Sequence, residues 1–383
     1  MKKLLSLLIC AGLIIISAGC KQNNIPQEGN IRGKILNYNE ELSKEYIGQD
    51  NKTKEEKAVK PVSEDLEIIP TLNTVSETKN QVWVGTFQLV WNDLINEFLK
   101  APVEFVNYKS VAAENLNKQE FTASELSENS YYKKWGEALP ALKAEIEKGI
   151  EDKFNEKSDI LNRLQWDSTP EMPKYVLYAM LKKEFEFLEK FESLDKGEFE
   201  GSQELVKYFG VNDNSDYKLR SSVKVLFYEN PQNFAVELKT KQDDKVYIYR
   251  NNENKTLDVL YKEMLNKADN YEGNKILQSK DKFKVPLINY KADREFPEFY
   301  YKEIKAKDFV IAKAIETVEF KMNETGVKLK SEAAVEMMLK STAAPRPQQP
   351  RYFNADGPFV IFIEENGKKP YFAMKVGNAA KLQ

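Results

Sequence analysis

The 383-residue chain contains no histidine. Ser-His-Asp and Cys-His nucleophiles, His-ligated zinc and imidazole pH switches are therefore excluded together. Carboxylates and lysines remain for proton transfer. Glu184, Glu186, Glu189 and Glu192 fall close together, but this is the pattern of a solvated charged face, and no pair at glycosidase separation can be read from it. The acidic run DNSD at 213–216 lacks the glycine and closing glutamate of an EF-hand loop, so calcium is not expected there. The two cysteines, Cys10 and Cys20, both lie at the start of the chain. No metal site, no cofactor and no enzymatic activity are expected. Lysine and arginine number 57 against 60 acids, a net charge of −3, which leaves no basic excess for phosphate backbones. Nucleic acid is not an expected partner.

The N-terminal residues have the organisation of a targeting segment. Lys2 and Lys3 precede an apolar run over 4–16, shorter than the roughly 20 residues a membrane span needs. Ser17-Ala18-Gly19-Cys20 resembles the bacterial lipobox, although Ser17 stands where leucine is usual. The resemblance implies cleavage before Cys20, a lipid on Cys20 and an extracytoplasmic, membrane-anchored position in the cell envelope. Residues 1–19 are then a signal peptide. Its lysines are its only charged residues, so losing it moves the net charge from −3 to −5. The mature chain would keep one cysteine, acylated, and no disulfide. Residues 20–65 are polar and poor in aromatics, a tether. Residues 66–383 read as one domain, with 42% apolar and 31% charged residues in the whole chain matching a globular body.

Within that domain the elements are legible. Residues 82–99 are strongly apolar and begin the core. Leu139, Leu142, Ile146, Ile150 and Phe154 recur at steps of three and four, one face of a helix, with Lys143, Glu145, Glu147 and Lys148 turned to water. YVLYAM at 175–180 suits a strand buried on both faces. FAVEL (234–238) and VYIYR (246–250) are strand-like. The end of the chain reads as two strands joined by a turn at Asn366-Gly367, a hairpin signal. The class is α+β.

Residues 327–340, VKLKSEAAVEMMLK, alternate strictly. Val327, Leu329, Ser331, Ala333, Val335, Met337 and Leu339 are all apolar or small, whereas five of the seven intervening residues are charged. This period of two predicts a strand, although the same residue types favour helix by a few tenths of a kcal/mol each. Fully extended it would span about 46 Å, far beyond an ordinary strand. The following STAAPRPQQPR at 341–351 has three prolines, which keep it out of a sheet interior.

The order of long strand, proline-rich loop and buried hairpin resembles the C-terminal region of the serpin family. IAKAIETVEFKMNETG (311–326) is similar to the family strand that leads to the reactive loop: Asn323, Glu324 and Gly326 match, and Thr325 departs. FNADGPFVIFIEENGKKPYFAMKVGN (353–378) is similar to the family's closing segment through Pro358, Phe359 and Phe362. VLYAMLKKEFEFLEKF (176–191) resembles a family strand ending in aromatics, here Phe187 and Phe191. The resemblance implies a serpin-like α+β fold: helices packed on a large central sheet, smaller additional sheets and an exposed reactive-centre-like loop. It also implies a hinge made of Asn323, Glu324, Gly326, Val327, Leu329, Ser331 and Ala333. Counted from Gly326, the scissile bond is Lys340–Ser341, which suits a trypsin-like serine protease as partner. Arg346 is a second basic candidate, but Pro347 follows it.

The sequence also departs from that family. Val327 and Leu329 stand where small hinge residues are usual, and overpacking there would cost about 1–3 kcal/mol on insertion. Glu316 occupies the place of the family's central-sheet histidine, and Ala179 that of a neighbouring asparagine. Two expectations follow from the resemblance and its departures. One is a membrane-tethered protease inhibitor whose cleaved loop inserts as a strand. The other is a non-inhibitory serpin-fold lipoprotein with a binding or structural role at the envelope.

Overall fold

A computed structural model of the chain describes the backbone of residues 7–18 and the whole of residues 66–326 and 349–383. The first elements are β1 (Leu7–Ala18), β2 (Leu66–Ile68), β3 (Asn80–Val84), α1 (Gly85–Asp93), α2 (Val111–Leu116), β4 (Tyr131–Glu137), α3 (Pro140–Phe154) and β5 (Lys174–Lys183). There follow β6 (Glu192–Gly197), β7 (Val206–Val211), α4 (Tyr217–Ser221), β8 (Val223–Asn230), β9 (Asn233–Lys239), β10 (Asp244–Arg250) and α5 (Leu257–Asp269). The chain ends with β11 (Lys282–Pro286), β12 (Ile288–Glu295), β13 (Phe309–Met322), β14 (Tyr352–Asn354), β15 (Phe359–Glu365) and β16 (Pro370–Val376). Among the described residues the strands form three sheets. The orders are β12-β13-β1-β5-β4, β2-β3-β16-β15-β10-β9-β8 and β14-β11-β7-β6. The architecture is α+β, with helices packed on sheets. The sheet with most strands is the seven-stranded one, built around the C-terminal hairpin.

That hairpin forms where its turn residues place it. Gly367 has φ +77, a left-handed conformation glycine adopts without a Cβ penalty, and Lys368 N donates to Glu365 O at 3.0 Å. Every residue of β15 is buried, because both faces of the sheet are covered. The helix expected from the apolar spacing is α3, opened by Pro140 and burying Leu142, Ile146, Ile150 and Phe154. Leu139 is its N-cap, 37% exposed, and so precedes that face and does not belong to it.

The five-stranded sheet lies between two helices. Val176, Tyr178 and Met180 of β5, with Ile315 of β13, pack under the buried face of α3. Leu177, Ala179 and Leu181 turn the other way, into the core that contains Phe87, Val90 and Trp91 of α1. This double covering is why 175–180 reads as an unbroken apolar run. Residues 82–99 divide into the end of β3, then α1, then a π-helical turn at Leu94–Leu99. β5 stops at Lys183, short of Phe187 and Phe191, which lie in the connection to β6.

The middle strand of the five is β1. It runs antiparallel to both β5 and β13, so these two strands are parallel to each other. β1 is the apolar run expected to serve as a signal peptide, and in the 383-residue chain it is a strand. An apolar run meets the requirements of a doubly covered strand as readily as those of a membrane-directed segment. Cys20 and the tether over 20–65 lie outside the described residues. Among the described residues, no helix is long and apolar enough to cross a membrane.

Candidate functional site

The site is the seam between β5 and β13 together with the turn that ends β13. In the register of the sheet, Glu316 of β13 stands opposite Arg294 of β12 and Gly12 of β1. Gly12 stands opposite Ala179 of β5, and Ala179 opposite Lys133 of β4. Paired residues share a face, and this row faces α1. The N-cap of α1 is Val84, with no side-chain cap, so the first-turn amides require acceptors from elsewhere.

Glu316 supplies one. It is fully buried, and its Oε1 accepts from Thr86 Oγ1 at 2.8 Å. The Phe87 amide also bonds to the carboxyl, while Oε2 has no partner. Burial pushes the Glu316 carboxyl up to about 8, against the opposing pull of the Thr86 hydroxyl, the Phe87 amide and the charge of Arg294. The Arg294 guanidinium is held by Glu67 at 2.7 Å, the Ile68 carbonyl at 2.6 Å and Glu298 at 3.2 Å. Lys133 closes the row against Asp93 of α1 at 2.5 Å; burial raises the Asp93 carboxyl in spite of the Lys133 hydrogen bond.

The turn after β13 is tied down. Asn323 Oδ1 accepts from Thr325 N at 2.9 Å and from Thr325 Oγ1 at 2.7 Å. The Glu324 carbonyl accepts from Phe191 N at 2.8 Å. Gly326 has φ +61 and bridges Glu186; a Cβ on it would lie 2.2 Å from Phe187 N. No other residue type would fit this approach without displacing backbone. The platform beneath is itself fixed. Phe187 meets Phe191 edge-on at 5.1 Å, and Lys241 Nζ lies 2.6 Å from Glu186 Oε2. Glu186 is only 5% exposed, which corrects the reading of 184–192 as a uniformly solvated face: its carboxylate is buried because Lys241 reaches it.

The chain returns to the described structure at an equally firm anchor. Buried Arg351 reaches Asp281 Oδ2 through Nη2 at 2.7 Å and the carbonyls of Asn274 and Ile276 at 2.7 Å each, and it stacks over Phe353 at 5.0 Å. Behind the seam, Lys183 at the end of β5 joins two carboxylates of the seven-stranded sheet, Asp244 at 3.1 Å and Glu365. Tyr371 donates to Asp244 at 2.8 Å. Burial acts upward on the Glu365 carboxyl, but the Lys183 hydrogen bond, the Ser127 amide and Lys368 outweigh it and lower it to about 2.

Of the residues assigned from sequence, Asn323, Glu324 and Gly326 come together as one turn. Val327, Leu329, Ser331, Ala333, Lys340, Ser341 and Cys20 lie outside the described residues. Thr86, Arg351 and Lys183 were not anticipated. The sequence marks Glu316 only by its place in the resemblance, and its partner Thr86 lies 230 positions away, beyond any local pattern.

No family model matches the sequence, and no curated protein matches it. Solved structures do. Human thyroxine-binding globulin complexed with thyroxine is 11% identical, with a TM-score of 0.46 over 79% of this chain and 92% of that one. Serpin48 of the insect Tenebrio molitor, described as a highly specific serpin, is 13% identical, with a TM-score of 0.42 over 78% and 92%. AtSerpin1 of Arabidopsis, in a native stressed conformation, is 14% identical, with a TM-score of 0.45 over 81% and 94%. These are likenesses of chain path; the α+β assignment stands on the sheets and helices themselves.

Proposed function

We propose that the chain is a serpin-like protein whose segment 327–340 serves as a strand for the seam between β5 and β13, and that it acts as a protease inhibitor anchored in the envelope by lipid on Cys20. The observation that carries this reading is the seam itself: it seats a twelve-residue strand antiparallel to both neighbours. The turn at Gly326, from which 327–340 departs, adjoins the connection that leaves β5. Loss of residues 1–19 at the lipobox would empty the seat, and the alternating segment has the length and period to fill it. Ladder hydrogen bonds and side-chain burial would drive the insertion. A trypsin-like protease cutting at Lys340–Ser341 would release the segment. No catalytic role is assigned to any residue.

Mixing the lipid-free domain, residues 21–383, with trypsin-like proteases tests the reading on a denaturing gel. A complex that survives detergent is the expected result. Cleavage near Lys340 without a complex would refute inhibition. The second reading, a non-inhibitory binding or structural lipoprotein, is favoured by Val327 and Leu329, bulky residues one and three positions after Gly326 that would overpack on insertion. Under that reading the cut chain shows no complex, and its melting temperature reports whether the strand still enters.

A further inference from the structure

Glu316 is costly where it stands. One oxygen is satisfied by Thr86, the other is buried with no partner, and a buried carboxylate is tolerated far better neutral than charged. The groups that face it can be named element by element. α1 contributes the Thr86 hydroxyl and Phe87 amide. β12 contributes Arg294, itself bound to Glu67 and Glu298. β5 contributes Ala179, with Lys133 of β4 beyond it bound to Asp93. β1 contributes Gly12, and Cys10 is the one titratable residue in its sequence. None of the side chains in this row donates to Oε2. Toward β5 the row offers only a glycine and an alanine, so the cover on that side is the backbone of the central strand.

We propose that Glu316 is a proton-operated latch on the seam: neutral, it stabilises the sheet with a strand seated between β5 and β13; ionised, it favours the state in which that strand has left and water reaches the carboxylate. The latch rests on the strand seat of the reading above and not on capture of any protease. Its sign follows from linkage. Glu316 titrates at about 8 in the filled sheet, and a solvated glutamate titrates near 4.3. The opening equilibrium therefore rises about tenfold per pH unit between these values and levels off above the upper one.

Hydrogen exchange of the full 383-residue chain, corrected for intrinsic rates, tests this by following amides in 175–181 and 310–318. Protection should fall on the order of a hundredfold from pH 5.5 to pH 8 and level off beyond, with α3 amides unchanged. E316Q should make seam protection independent of pH. T86V, which keeps the carboxyl and removes its hydroxyl donor while leaving the Phe87 amide, should move the plateau to higher pH. A flat wild-type profile overturns the latch, as does an E316Q profile that follows the wild type. If E316Q does not fold, T86V decides: an unmoved plateau overturns the proposal. Seam amides unprotected at every pH would overturn the strand seat itself, and the latch with it.

Discussion

At Gly326 the backbone is left-handed and the amide of Phe187 stands where a side chain would begin. Gly326→Ala therefore meets conformational strain and a backbone clash together, and a loss of about 2–3 kcal/mol in urea unfolding is expected. Lys183 is a different case, a buried cation between two buried carboxylates. Lys183→Met leaves buried Asp244 without its counter-charge and Glu365 with Lys368 alone, with an expected loss of about 3–5 kcal/mol. The pH profile carries the same contact. Glu365 is lowered from 4.5 to about 2 in the folded chain, so its stabilisation is complete above the unfolded value and disappears as the pH falls through the folded one. Urea midpoints at pH 6 and pH 3 should differ less in K183M than in the wild type. Glu316 has the opposite sign: raised to about 8, it favours the folded state most below pH 4.5 and loses that contribution as the pH rises toward 8. The identity of these residues is plain in the sequence, but their charge state is not, because burial sets it.

Among the elements, α3 was the most legible, since its buried face is written at helical spacing and its solvent face in lysines and glutamates. It packs in a separate cluster with Val176, Tyr178 and Met180, so Ile146→Ala should open a cavity on one face of the sheet and cost about 2–4 kcal/mol, read from the unfolding midpoint. The hairpin of β15 and β16 was equally legible through Asn366-Gly367. Residues 82–99 were not, because an apolar run carries no period to separate strand from helix. In the segment 327–340 the pattern is clear and its bulk is unusual. Replacing Val327 and Leu329 by alanine should speed insertion after cleavage at Lys340. The check is the rate at which the melting temperature rises in the cut protein; an unchanged rate would show that bulk at these positions does not limit it.

For the whole molecule, the deciding feature is a sheet whose two long parallel strands are joined through a third. A chain beginning at residue 20 lacks that third strand and should melt below the 383-residue chain. A peptide of sequence 327–340 should restore part of the difference, whereas equal melting temperatures would mean that β5 and β13 pair directly. The amino-acid sequence by itself determined the hairpin and the α3 face, since each is encoded by residues within a few positions of one another, and it determined the class through the order of helical and strand-like segments; Asn323, Glu324 and Gly326 were marked by the resemblance alone. Only the tertiary structure decided that Glu316 would cap a helix through Thr86, 230 positions away, that Lys183 would bind Asp244 and Glu365, and that Gly12 would stand between Glu316 and Ala179. Sheet register makes these neighbours, and register follows from how distant strands bury their faces together, which no local pattern records.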